Sequence, residues 1–537
     1  MAVMAGRQAF LAALAWTAVW HPAARPENAS YDIVLEGGQL VDGAGNPWFS
    51  GYLAIQGDRI AAMGPGSGPQ ARLRIDAKGL VVTPGFIDAH SHGRRGISER
   101  PQAENYIRQG VTTIIEGPDG SSPLPIGEYL EDLSRKPAAI NFGLLAGHGT
   151  IRAAVMGTEN RKSTGGEIQK MRALARRAMQ DGAMGLSTGL FYVPGNYADT
   201  AEVIEIAREV AAFGGIHASH MRDEAAGILD SVAETIRIGE EGGLPTQLTH
   251  HKIIGQSNWG KSVETLRLVE EARARGVDVT IDQYPYTASS TGTGALFPQW
   301  SLAGGAKALR ERLSAPESRQ KIKAVIVDKI RTDRGGGDPK NVVLAACEFD
   351  KSLAGKTLAE VTASKGRAVT VENAAETAIE IQERGGCSAV YHAIQEQDVE
   401  RILRSPYTMV ASDGGIPEHG ADVPHPRNYG TFARVLGRYV RERKVIGLED
   451  AIRKMTSFPA NRLGLQDRGL LRPGMRADIA VFDAERVIDK AEFEKPHQYA
   501  EGFRDVIVNG QPVMLNGRMT GKLPGKVLYG PGRRRPE

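Results

Sequence analysis

The sequence predicts an α/β chain: a (β/α)8 TIM-like barrel, a small β-sandwich domain built from both chain ends, and an inserted lid segment. Three observations carry this. Strand-like and helix-like stretches alternate through the middle of the chain, and eight of the former can be counted. That alternation implies a parallel sheet with right-handed crossovers, closed as a barrel. Both ends show instead short strands separated by tight glycine turns. Finally, 537 residues exceed one small domain but suit a barrel with a smaller companion.

Residues 1–30 stand outside the fold. Arg7 precedes an apolar run from Ala9 to Trp20, followed by His21-Pro22-Ala23-Ala24. That is the layout of a signal peptide, too short for a comfortable membrane span, and it predicts export to the periplasm or medium. Without cleavage there, the chain is cytoplasmic. Residues 31–83 form the first part of the small β-domain. Asp32–Leu35, Gln39–Asp42, Gly51–Ile55 and Arg59–Ala62 read as strands, punctuated by Gly37-Gly38, Gly43-Ala44-Gly45 and Gly57-Asp58. Residues 84–465 form the barrel. Its strands are expected at Phe86–His90, Val111–Ile115, Asn141–Leu145, Ala183–Ser187, Ile216–His220, Thr246–His250, Asp278–Gln283 and Thr408–Asp413. Helical stripes lie between them: Ile168, Met171 and Leu174; Val203, Ile206 and Val210 after Asp199-Thr200; Val263, Leu266 and Val269 after Ser262. About residues 291–370 are too long for one connection and read as the lid over the barrel mouth. Residues 466–537 complete the β-domain with strands such as Ala477–Phe482 and Asp505–Gly510.

Charged residues make up 24%, hydrophobic residues 41%, and the net charge is +3. These values suit a soluble enzyme and point to neither nucleic acid nor membrane as a partner. Cys347 and Cys387 show no metal-ligand spacing and no disulfide framework.

The chemistry is carried by the strand ends. Phe86-Ile87-Asp88-Ala89-His90-Ser91-His92 runs from an apolar strand into two histidines. In an extended chain alternate side chains face one side, so His90 and His92 can address one divalent cation, most often zinc. His220, His250 and Asp413 each end another short apolar or β-prone run. In a barrel the functional residues gather at the carboxyl ends of the strands, where all five of these lie.

This ordered series resembles the amidohydrolase superfamily. The runs His220–Glu224, His250–Gly255, Asp282–Ser290 and His425–Leu436 are similar to its N-acyl-D-amino-acid deacylase branch, the D-aminoacylases. The resemblance covers residue 31 to the C-terminus. It implies one or two divalent ions, zinc first, held by His90, His92, His220, His250 and Asp413. Asp413 is also implied as the proton shuttle and Tyr284 as a donor to the developing oxyanion. Lys252, Arg427 and Ser289 are implied as contacts to a substrate with a free carboxylate, an N-acyl amino acid. The family usually carries a metal-binding cysteine after the second strand. Aligned on Gly117 and Gly120, that position holds Asp119 here, with Glu116 as the competing candidate. A carboxylate is anionic like a thiolate but a harder ligand.

Two rivals remain open at this level. One is a hydrolase of cyclic amides or dipeptides on the same scaffold, of which the ring-opening kind has no need of the Lys252–Arg427 pair. The other is a catalytically silent barrel that binds a ligand, which has no need of Asp413.

Overall fold

The computed structural model describes residues 30–533. The signal-like segment lies outside the described residues, apart from its last residue, Ser30. Among the described residues no helix is long and apolar enough to cross a membrane.

The chain opens with five strands: β1 (Tyr31–Leu40), β2 (Phe49–Gln56), β3 (Arg59–Pro65), β4 (Ala71–Asp76) and β5 (Val81–Pro84). Strand β1 forks. Its first half pairs in parallel with β4 and its last two residues with β5, while β2 pairs antiparallel on the other edge. Strands β18 (Ile479–Phe482), β19 (Phe503–Val508), β20 (Gln511–Leu515) and β21 (Arg518–Met519) extend the same sheet from β5. Both ends therefore build one domain, as the sequence predicts. Its two leaves are a continuous nine-stranded sheet folded over a core of residues such as Leu35, Leu53, Ile55, Val82, Ile479 and Ile507.

The barrel strands are β6 (Phe86–Asp88), β7 (Val111–Glu116), β8 (Asn141–Leu144) continued as β9 (Ala146–Gly147), β10 (Gly185–Gly189), β11 (Ile216–His220), β12 (Thr246–Leu248), β13 (Val279–Gln283) and β17 (Thr408–Val410). All pair in parallel in that order. The ring closes between the first and last strands just beyond their ends, where Asp413 N donates to His90 O at 2.9 Å and His92 N to Gly414 O. The interior holds an apolar cluster that includes Ile87, Ile115, Leu145, Met184 and Ala218, because strands covered on both faces bury every side chain.

Helices fill the crossovers. The helix Thr200–Ala211 starts where Asp199 accepts from the Glu202 N–H at 3.0 Å, an ordinary side-chain cap. The helix Ser262–Ala274 departs from its expected face. Val263 is exposed, Leu266, Val269 and Ala272 are buried, and the Ser262 hydroxyl bonds Asp398 instead of capping.

The insertion is larger than the sequence suggests. It begins at β14 (Ser289–Gly292) and ends at β16 (Ser388–Tyr391), which pairs antiparallel with β14 and with β15 (Val342–Ala346). Helices Gly305–Ser314, Pro316–Thr332, Leu358–Ser364 and Val371–Glu383 pack on this sheet over their own core, including Phe297, Ile326, Leu344 and Ile379. The expected end near residue 370 fails because the helix Val371–Glu383 packs its apolar face on the helix Pro316–Thr332 and so belongs to the insertion. The cysteines are a second correction: Cys347 and Cys387 form a disulfide, tying the end of β15 to the start of β16.

Candidate metal centre and substrate cavity

The ligand candidates sit just past regular strand. Strand β6 stops at Asp88, β12 at Leu248 and β17 at Val410, so His90, His92, His250 and Asp413 lie on the first residues of the loops. Backbone geometry explains the early stops. His250 has φ 37°, Asp413 φ 51° and Asp119 φ 55°, in the left-handed region that costs roughly 1–2 kcal/mol for a residue with a side chain. Strain of this kind clusters where the surrounding structure must aim a functional group. The glycines around Asp119 make its turn possible. A Cβ at Gly117 would stand 2.3 Å from the Leu145 carbonyl oxygen, and one at Gly120 2.8 Å from the Gly189 nitrogen.

Asp119 is the hub. Its Oδ1 lies 3.6 Å from His90 Nε2, 3.6 Å from His220 Nδ1 and 3.4 Å from His250 Nε2, and its Oδ2 lies 3.4 Å from His92 Nε2. Asp413 Oδ1 lies 3.5 Å from His90 Nε2 and 3.0 Å from His92 Nε2. Two ligand groups result, His90–His92–Asp119–Asp413 and Asp119–His220–His250, with Asp119 in both. Glu116 is elsewhere: buried at the end of β7, it accepts from the Ser91 hydroxyl at 2.9 Å.

The donor set fits divalent metal. Both ring nitrogens of His90 and of His220, and Oδ1 of Asp119, are buried without a hydrogen-bond partner, a demand that protein groups rarely leave unmet. Carboxylates stand behind the rings. Asp282 Oδ1 is 3.7 Å from His90 Nδ1, and Glu224 is 3.1 Å from His250 Nδ1 and 3.7 Å from His220 Nε2. Each puts negative charge behind one nitrogen of its ring while the other nitrogen of that ring faces Asp119, the placement of outer carboxylates behind metal-binding histidines. The electrostatics agree. Partial desolvation at the cavity wall opposes charge on His92, whose side chain is 44% exposed, yet hydrogen bonds to Asp119 and Asp413 raise its pKa from 6.5 to about 9. Burial likewise opposes ionisation of Asp413, but Arg427 and the histidines hold its carboxyl far below the usual range. The negative centre thus attracts positive charge.

The centre opens into a cavity of about 960 Å³. Lys252, Tyr284, Ser289 and Arg427 all line it, so every residue implied by the resemblance reaches one site. Two of them differ from expectation in detail. Arg427 donates from Nη1 to Asp413 Oδ2 at 2.8 Å, so part of its guanidinium is engaged before any substrate arrives. Lys252 ion-pairs with Glu224 and bonds the His250 carbonyl at 3.0 Å. Both cations stand over the Tyr284 ring, at 4.8 and 5.7 Å, and the Tyr284 hydroxyl is buried without a partner. Ser289 is the first residue of β14 and is buried in the wall.

Other histidines and charges resolve as scaffold. His217 bonds Thr188 and Thr246 at 2.9 and 2.8 Å, and His251 bonds Thr265 at 2.8 Å. Arg222 pairs with Glu234. Sequence reasoning missed Asp282 and Arg334. Asp282 precedes the segment that carries Tyr284, a hint that could have been followed. Arg334 lies in the insertion, where no local pattern marks it.

The amidohydrolase family model matches residues 74–301 and 350–514. The chain is 39% identical to a D-aminoacylase of Alcaligenes xylosoxydans xylosoxydans, over 94% of this chain and 98% of the relative. It is 36% identical to an N-acyl-D-glutamate deacylase of the same organism, over 93% and 96%. Among solved structures, N-acyl-D-glutamate deacylase from Bordetella bronchiseptica, in complex with zinc and a phosphonate that mimics the tetrahedral intermediate, superposes with a TM-score of 0.80. It shares 33% identity, covering 93% of this chain and all of that one.

Proposed function

The chain belongs to the amidohydrolase family, and on that premise we propose that it hydrolyses N-acyl-D-amino acids to a carboxylate and a free D-amino acid. The observation that carries this is the junction of two ligand groups at Asp119, with Asp413, Tyr284, Lys252 and Arg427 on the same cavity. His90, His92, Asp119 and Asp413 would hold one zinc ion, and Asp119, His220 and His250 a second. When bound, zinc acidifies water and polarises a carbonyl.

The chain's own residues do the rest. Lys252 and the free edge of Arg427 take the substrate's α-carboxylate. Tyr284 donates its unpartnered hydroxyl to the oxyanion that develops on the scissile carbonyl oxygen. Asp413, ionised beside Arg427, accepts a proton from water as the water oxygen bonds the carbonyl carbon. It then gives that proton to the amide nitrogen as the C–N bond breaks. Arg427 thereby positions both the substrate and the base, which explains its bond to Asp413. The D preference rests on the relatives' activities. A screen of N-acetyl-D- and N-acetyl-L-amino acids, with metal analysis of the same preparation, tests the proposal. Turnover of D-isomers that chelation abolishes and zinc restores is expected; hydrolysis by metal-free protein overturns it. Loss on Arg427→Met should fall on N-acyl amino acids far more than on their carboxamides.

The enzyme works outside the cytoplasm. The Cys347–Cys387 disulfide suits an oxidising compartment, in keeping with the signal-like N-terminus. Cell fractionation with N-terminal sequencing of the mature protein tests this, and an intact Met1 on cytoplasmic protein contradicts it.

A further inference from the structure

One buried cation on the cavity has no role in the reaction above. Arg334 follows the helix Pro316–Thr332 of the insertion, lines the cavity and is only 3% exposed. Its guanidinium stands 4.8 Å over Phe191 and 5.5 Å over Tyr391. Its one hydrogen bond is a long one, 3.5 Å from Nη1 to Ser289 Oγ, and its Nε has no partner.

The contrast with its neighbours is informative. Arg427 is paired with Asp413 and Lys252 with Glu224, whereas among the described residues Arg334 makes no ion pair. Asp333 and Glu224 reach it only through space. A buried, unpaired charge costs several kcal/mol, and the two aromatic faces offset only part of this. A guanidinium lodged against two rings, with its Nε unpartnered and only one long hydrogen bond, is preorganised for a planar carboxylate. Hydroxyls surround the same spot: Ser289 Oγ, and Tyr192 OH bonded to Thr291 Oγ1 at 3.1 Å, all on the cavity wall. Arg334 bonds Ser289 and its charge is felt at Lys252, two of the residues implied as contacts to the carboxylate-bearing amino-acid half of the substrate. Arg334 therefore serves that half and not the acyl half.

We infer that Arg334, with Ser289, binds a second carboxylate on the substrate's side chain, so that the enzyme selects N-acyl derivatives of acidic D-amino acids. This rests on the deacylase reading above and narrows it. The inserted subdomain is then a specificity element: it carries the side-chain reader, while the barrel carries the reacting groups.

The test compares kcat/KM of the zinc-loaded full-length enzyme on N-acetyl-D-glutamate, N-acetyl-D-aspartate, N-acetyl-D-glutamine and N-acetyl-D-methionine. The wild type should prefer an acidic substrate. In Arg334→Met the acidic-to-methionine ratio should fall roughly 10- to 100-fold, the range for losing a hydrogen bond to a charged group, through KM more than kcat. Arg334→Lys, which keeps the charge without the fork, should fall in between, and it carries the test if Arg334→Met does not fold. An unchanged ratio in both soluble variants, or a wild type that prefers methionine, overturns the inference and leaves the deacylase reading standing. A wild type that cleaves no N-acyl-D-amino acid overturns the deacylase reading itself.

Discussion

Asp119 should decide whether this protein holds metal at all. It alone belongs to both ligand groups, with four histidine rings within 3.6 Å of its carboxylate. Losing even an outer partner of a metal ligand typically costs roughly 10- to 100-fold in affinity. Loss of the shared ligand should therefore exceed about 100-fold at both positions. The substitution must be chosen with the backbone in mind. At φ 55° alanine adds about 1–2 kcal/mol of strain, whereas asparagine tolerates the left-handed region. Asp119→Asn thus removes the charge with little effect on the fold, and Asp119→Ala should match it in metal loss while melting lower. Glu116→Gln is the control, since Glu116 bonds Ser91 and belongs to neither ligand group. The assay is metal content after dialysis against a weak chelator, alongside turnover. Asp119→Asn should emerge nearly metal-free and inactive, with Glu116→Gln close to wild type. Full metal in Asp119→Asn together with loss in Glu116→Gln would refute the assignment.

Three further outcomes follow from particular contacts. Asp413→Asn should keep most of its metal, since His90, His92 and Asp119 remain, but lose roughly 10²–10⁴-fold in kcat, the usual range for a general acid–base group; a kcat within twofold of wild type excludes it as the shuttle. Cys347 and Cys387 close a loop with a sequence separation of 40 residues, so reduction should destabilise the insertion by up to about 4 kcal/mol on loop entropy, seen as a lower melting transition with reductant that Cys347→Ala removes. Burial lowers the His217 pKa from 6.5 to about 3, so the unfolded chain takes up a proton that the folded one refuses. The stability this supplies is complete above pH 6.5 and declines by roughly 1.4 kcal/mol per pH unit as pH falls toward 3; denaturant melts of His217→Gln should show a shallower acid slope than wild type.

The sequence by itself determined the barrel and its eight strands, and it put the ligand candidates at strand ends, because each of these rests on local pattern. Alternating apolar runs define strands, and a ligand placed at the end of such a run must face the barrel mouth. Asp119 was legible only through the family resemblance, aligned on Gly117 and Gly120 with Glu116 as the rival; the structure shows why those two positions are glycine, since a Cβ there would meet the Leu145 carbonyl or the Gly189 nitrogen. The exact strand ends were not legible, because His250 and Asp413 leave extended geometry through left-handed backbone angles that no composition announces. Only the tertiary structure paired Arg427 with Asp413, set Glu224 and Asp282 behind the histidines, joined Cys347 to Cys387 and brought Arg334 to the cavity. Each of these joins side chains through space, by charge or covalent bond, without leaving any period in the chain. Arg334 shows the limit most plainly: its meaning lies in making no ion pair where Arg427 and Lys252 each make one, and that exists only once the chain is folded.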